Sequence, residues 1–172
     1  MEHNIIELRG LERTYRKGPK ALAGVDLDVP EGTRFALLGA NGAGKSTLVR
    51  IMCTLSHADS GTASIGEKPL SAAARAQVGV ALQDTQLDPD ETARAQLRFQ
   101  ARLHGMAERH AAGRADELLG RFGLGPVADR KAKELSGGNK RRLHVALALV
   151  HRPRVLFLDE PTVGMDPESR AA

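Results

Sequence analysis

Cysteine is nearly absent from this chain. Cys53 has no second thiol to join, so no internal disulfide can staple the fold. It falls in a helix expected after residue 45, where a small buried residue is the ordinary reading. Aromatic residues are equally scarce, at 3%, with no tryptophan and a single tyrosine, Tyr15. Little is left to stack on a run of bases, so a nucleic-acid partner is not expected. No apolar run approaches the length of a membrane span, and Met1-Glu2-His3-Asn4 offers neither a basic start nor an apolar signal core. Direct membrane insertion is therefore not expected, and a cytoplasmic location is. Charge of one sign is also missing: the net value is +4, scattered except for Lys140-Arg141-Arg142. What the 172 residues do hold is 41% hydrophobic and 27% charged side chains, enough for one domain with a real core.

The most informative stretch is Gly39-Ala40-Asn41-Gly42-Ala43-Gly44-Lys45-Ser46-Thr47. A Gly, four residues, then Gly-Lys-Ser is the phosphate-loop spacing. Glycines let the backbone turn its N–H groups inward around an anion, and a helix starting near Lys45 directs its positive end at the same place. Lys45 would reach the terminal phosphates of a nucleotide, and the Ser46 hydroxyl would suit Mg²⁺, a hard cation. A chance glycine-rich turn is the plainer alternative, and the flanks argue against it. Arg34-Phe35-Ala36-Leu37-Leu38 reads as a buried strand before the loop, and Leu48, Ile51 and Leu55 recur at helical spacing after it.

Around this centre the chain reads as strands, then helices, then a strand. Ile5, Ile6 and Leu8 mark a first strand over residues 4–9, and Val25, Leu27 and Val29 alternate with Asp26 and Asp28 in a half-exposed second. Tyr15, in the polar turn between them, is either a packing residue or a platform for a base. A short strand is expected over residues 62–65, a short helix capped by Ser71 after it, and a buried strand over residues 78–82. Gln83 leaves the end of that strand, where open α/β sheets place ligands; a loop amide bonding its own backbone is the alternative. Residues 92–104 and 107–119 read as two helices separated by Gly105, with Leu97, Ala101 and His104 on one face of the first.

Two later stretches carry chemistry. In Leu135-Ser136-Gly137-Gly138-Asn139, Ser136 is a natural N-cap and the glycines leave backbone N–H groups open to an anion. Lys140, Arg141 and Arg142 then oppose the helix dipole, which an anionic ligand or partner would offset. Leu143, Ala146, Leu147 and Val150 mark the buried face of that helix. Finally Val155-Leu156-Phe157-Leu158 reads as a strand buried on both faces, ending in Asp159 and Glu160. Carboxylates beside a core need a partner: Mg²⁺ would serve Asp159, and Glu160 could polarise an attacking water.

In this order the motifs resemble the nucleotide-binding domain of ATP-binding cassette (ABC) transporters, over residues 5–170. The resemblance implies an α/β P-loop NTPase fold, with a core sheet, antiparallel N-terminal strands and a helical subdomain over about residues 84–150, in a single domain incomplete at its C-terminal end. It implies ATP and Mg²⁺ as cofactors. Tyr15 takes the place of the aromatic that stacks on adenine. Gly39, Asn41, Gly42, Ala43, Gly44, Lys45, Ser46 and Thr47 hold phosphates, and Ser46, Gln83 and Asp159 serve the metal. By the same resemblance Glu160 matches the catalytic base, and Gln83 the glutamine that touches Mg²⁺ and relays to the membrane subunit. Gly164-Met165-Asp166 matches the turn that crosses to the partner subunit. Ser136, Gly137 and Gly138 act in trans on ATP held by a second ABC ATPase subunit, expected to be another copy of the same chain.

Within the family, residues 87–106 and 138–143 look like the daunorubicin-resistance type of drug exporter ATPase. That likeness implies export of a hydrophobic compound through a separate transmembrane permease, from a site at the inner face of the cell membrane. Asn139 stands where the family commonly has Gln. His144 stands where the drug-exporter type often has an acid, and reads as a packing or surface histidine. The family's later histidine, which contacts the γ-phosphate, has no counterpart before Ala172. The expectation is thus a fragment or truncated variant, with a cassette that binds ATP without effective hydrolysis as one alternative. A non-transport ABC ATPase is another, although neither tandem cassettes nor coiled-coil insertions are seen. A structural protein with an idle loop is a third.

Overall fold

The computed structural model describes residues 3–16, 18–66, 68–81 and 87–158. The chain divides into two compact units, Met1–Val78 and Gly79–Ala172.

The first unit is built on an antiparallel sheet of β1 (Asn4–Thr14), β2 (Lys20–Pro30), β3 (Ser60–Ile65) and β4 (Lys68–Pro69), in the order β2-β1-β3-β4. The antiparallel strands expected near the N-terminus are these. β1 runs five residues further than the alternation predicts. Its register against β2 shifts between Leu8 and Leu11, and Gly10 takes a φ of 56° there. Such a bulge resets which face a side chain points to, so Leu8 and Leu11, three apart, are both buried. β2 keeps the alternation as read, with Val25 and Leu27 half-buried, Val29 buried, and Asp26 and Asp28 exposed.

Helix α1 (Lys45–Met52) buries Leu48, Ile51 and Met52 within this unit. The helical spacing does not extend to Leu55, which is exposed: Cys53 caps the helix and Thr54 turns left-handed, with a φ of 56°. Residues 34–38 do not form the expected buried strand. They make no ladder among the described residues, and Phe35 and Leu38 are exposed. Apolar content marks a segment that can be buried, but a strand also needs a neighbouring strand to pair its N–H and C=O groups in a ladder. The short helix after Ser71 is a 3-10 turn over Ala72–Gln77, without a side-chain hydrogen bond from Ser71.

The second unit is mostly helical. β5 (Val78–Ala81) pairs with β6 (Val155–Leu158) in a two-stranded sheet. A Cβ on Gly79 would stand 2.3 Å from the Ala148 carbonyl oxygen, so this crossing admits only glycine. β6 is less enclosed than its sequence suggests: Val155 is buried and Leu158 exposed. Helices α2 (Ala93–Leu103), α3 (Glu108–Arg121) and α4 (Gly137–Ala148) share one core, in which Leu97, Leu118, Leu124, Leu143 and Val150 are fully enclosed. Thr92 caps α2, its hydroxyl accepting from the Ala95 N–H at 3.1 Å. Leu97 and Ala101 face the core as expected, but His104 does not. It lies at the helix end, exposed, with its ring stacked 4.0 Å from that of His151.

The last turn of α4 is tied down by a side chain from α3. Arg114 is buried, and its Nε and Nη2 donate to the carbonyls of Val150 at 2.9 Å and Leu149 at 2.6 Å. Its Nη1 donates to Glu117, which also pairs with Arg152. A helix end leaves its final carbonyls without intrahelical donors, and Arg114 supplies two of them.

Candidate nucleotide site

The phosphate loop folds as the glycine spacing requires. Gly44 is the N-cap of α1, with a φ of 88°, and Gly42 has a φ of 82°. The Ala43 N–H bonds back to the Ala40 carbonyl at 3.1 Å, closing a turn, and the Leu48 N–H bonds to the Gly44 carbonyl at 2.9 Å, opening the helix. The N–H groups of Lys45, Ser46 and Thr47 precede the first intrahelical donor. They point along the axis towards the loop, at the positive end of the helix dipole. No acid lies in the first turn of α1 to take that place.

Lys45 crosses the loop. Its Nζ donates to the Gly39 carbonyl at 2.7 Å and the Ala40 carbonyl at 2.8 Å. Gly39, Asn41, Gly42 and Ala43 are exposed, and so is Ser46, with its hydroxyl on the first turn of the helix. An ammonium group and the helix N–H groups at the start of α1 make a donor set that fits a phosphate chain.

Tyr15 is brought to this loop. Its hydroxyl lies 3.3 Å from the Thr47 Oγ1, and its ring is exposed rather than packed into the core. Two neighbours went unremarked in the sequence. Arg13 sets its guanidinium carbon 5.3 Å from the Tyr15 ring centroid. Asp59 accepts from Arg13 Nη1 at 2.7 Å and from the Thr14 N–H at 2.6 Å. Those two donors, the Thr14 N–H first, hold the Asp59 carboxyl below its ordinary range. The available signal was strand alternation: residues two apart at the end of β1 point the same way.

In the second unit, Ser136 caps α4 as read, its Oγ accepting from the Asn139 N–H at 3.3 Å. Around Gly138 a Cβ would meet nothing within 4 Å, so the start of α4 stands open. His144 is half-buried and its Nε2 has no hydrogen-bond partner among the described residues. Burial, with a smaller push from Arg141, lowers its pKa. Cys53 is buried and its thiol is pushed up to about 12 by desolvation, which makes it a packing residue rather than a nucleophile. Gln83, Asp159, Glu160 and the turn at Gly164-Met165-Asp166 lie outside the described residues. Among the described residues there is no cluster of three metal-ligating side chains, and no helix is long and apolar enough to cross a membrane.

A family model described as "ABC transporter" matches residues 22–163, from β2 through the phosphate loop to the acid pair and beyond. The chain belongs to the ABC transporter family. The daunorubicin resistance ATP-binding protein DrrA3 of Streptomyces coeruleorubidus is 42% identical over 99% of this cassette and 55% of its own length. The daunorubicin/doxorubicin resistance ATP-binding protein DrrA of Streptomyces peucetius is 42% identical over 96% of it and 51% of its own length. The Nod factor export ATP-binding protein I of Burkholderia orbicola is 43% identical, with coverages of 96% and 55%. This ABC cassette thus spans about half the length of the curated relatives it matches. Among solved structures, cbiO1 from Clostridium perfringens, described as part of the ABC transporter complex cbiONQ, superposes with a TM-score of 0.89. It is 32% identical, over 99% of this chain and 70% of that one. The fold is therefore the α/β P-loop NTPase fold of ABC ATPases.

Proposed function

We propose that this chain is the ATP-binding part of an ABC exporter, which binds and hydrolyses ATP to drive a hydrophobic compound out through a separate membrane subunit. The observation that carries the reading is the cradle at α1. Lys45, the Gly44 cap and the free helix N–H groups form a site for a chain of phosphates, with Tyr15 set at its edge for a base. The printed descriptions of the relatives, drug resistance and Nod factor export, support an exporter.

In this reading the loop from Gly39 to Thr47 wraps the β and γ phosphates, and Lys45 exchanges its two carbonyl partners for phosphate oxygens. Tyr15 stacks on the adenine. Mg²⁺ would be held by Ser46, Gln83 and Asp159, where it would neutralise charge developing on the phosphates. Glu160 orients the attacking water and takes its proton. The open N-terminal turn of α4, with Ser136, Gly137 and Gly138, covers the γ-phosphate bound by a second copy. That contact supplies the anion which the basic start of α4 calls for. The helical subdomain over about residues 84–150 connects this event to the membrane subunit. The assembly works as a peripheral complex at the inner face of the membrane.

Two measurements test this. Lys45→Ala is expected to weaken binding of ATP with Mg²⁺ by at least tenfold in a titration of the purified chain. Glu160→Gln is expected to keep that affinity and to abolish phosphate release. Unchanged affinity in the first variant refutes the cradle, and parental phosphate release in the second refutes the base. Tight ATP binding with no phosphate release by the parent chain, paired or not, replaces the enzyme by a binding module.

A further inference from the structure

We propose that Arg13, braced by Asp59, positions Tyr15 as the platform for a purine base, so that these three residues set the base half of the nucleotide site. The inference rests on the nucleotide reading above and deepens it.

The geometry supplies a chain of contacts. Asp59 has its own N–H on the Glu12 carbonyl at 2.8 Å, while its carboxylate takes the Thr14 N–H and the Arg13 guanidinium. The end of β1 is thereby held by the one residue that precedes β3. Arg13 is three-quarters covered, with a side-chain exposure of 25%, and spends its charge on Asp59 and on the Tyr15 ring. A guanidinium within about 6 Å of a ring centroid is attracted to the ring face. Tyr15 is held at its far end as well, by the hydroxyl pair with Thr47 on the first turn of α1. Its carbonyl accepts the Gly18 N–H at 2.9 Å, which shapes the turn leaving the strand.

A tyrosine held at one face and at its tip still exposes 41% of its surface. Exposed aromatic side chains ordinarily rotate; this one is pre-set. A flat base stacking on it avoids the cost of ordering the ring. The Thr47 contact also fixes the ring at a constant distance from the phosphate loop, so base and phosphates meet one preformed frame. Arg13 touches no nucleotide in this scheme and acts through Tyr15. It is a positioning residue.

The test compares two probes, ATP and inorganic tripolyphosphate, each titrated with Mg²⁺ against the purified chain. Tyr15→Ala is expected to lose about tenfold for ATP and nothing for tripolyphosphate. Arg13→Ala is expected to lose about threefold to fivefold for ATP alone. Adding Arg13→Ala to Tyr15→Ala should cost nothing more, because the ring it orients is gone. Arg13→Lys, which keeps the cation, should recover most of the loss. If Tyr15→Ala leaves ATP affinity unchanged, the base platform is wrong and the positioning role falls with it. If Tyr15→Ala weakens ATP while Arg13→Ala does not, the platform stands and the role of Arg13 is overturned. Equal losses for both probes in Arg13→Ala mark a purely structural residue and also overturn it. Should Arg13→Ala fail to fold, Asp59→Asn takes its place: an ATP-only loss supports the brace, and no loss or an equal loss refutes it.

Discussion

Gly44 is a position that tolerates no side chain, for two reasons that a pair of alanine substitutions separates. Gly42 and Gly44 both adopt left-handed backbone, with φ of 82° and 88°. Alanine in that conformation costs about 1–2 kcal/mol. The surroundings differ. A Cβ at Gly42 meets nothing within 4 Å, whereas one at Gly44 stands 2.3 Å from the Ala21 carbonyl oxygen and 3.0 Å from Leu22 Cδ2. To restore ordinary contact, β2 and the N-cap of α1 must part by about 1 Å, and strained packing of this kind adds about 1–3 kcal/mol. Gly42→Ala should therefore lower unfolding free energy by about 1–2 kcal/mol. Gly44→Ala should lower it by about 2–5 kcal/mol. Urea denaturation followed by circular dichroism measures both. The same displacement moves the first turn of α1, so Gly44→Ala should also weaken ATP binding in a titration, whereas Gly42→Ala leaves that turn in place. Equal destabilisation by the two variants would refute the steric argument, because it would mean that β2 does not press on the cap.

His144 should make stability depend on pH. Burial lowers its folded pKa below the ordinary 6.5, so the unfolded chain takes up the proton first. Its contribution is complete above pH 6.5 and is lost as pH falls from there through the folded value. Urea midpoints should drop between pH 7.5 and 5.5 and drop less in His144→Gln; identical slopes would remove His144 from the account. Arg114→Met should destabilise by about 2–4 kcal/mol, since it leaves the Leu149 and Val150 carbonyls without donors. Thermal unfolding reads this, and a change below about 0.5 kcal/mol would show that water replaces the guanidinium.

The phosphate loop and the Ser136 cap were legible because their chemistry is local, whereas Ser71 makes no capping bond. Gly44-Lys45-Ser46 and Ser136 act through the backbone within a few residues, and spacing states it. The Leu97 and Ala101 face of α2 was legible for the same reason. What escaped depended on partners distant in the chain. The bulge at Gly10 and the clasp of Arg114 on α4 each involve residues 16 or more positions apart, and no periodicity encodes them. Residues 34–38 misled in the opposite direction. Their composition is that of a buried strand, but burial is a property of neighbours, and the described residues supply none in register.

The bonds from Lys45 to the Gly39 and Ala40 carbonyls have a kinetic and an energetic consequence. The flexible lysine arm is already confined before any phosphate arrives, so capture exchanges one set of oxygens for another and does not recruit a wandering chain. Affinity then measures the difference between phosphate and peptide oxygen as hosts for the same ammonium group. In the proposed function, the loop acts as its own weak competitor for the lysine that a phosphate must displace.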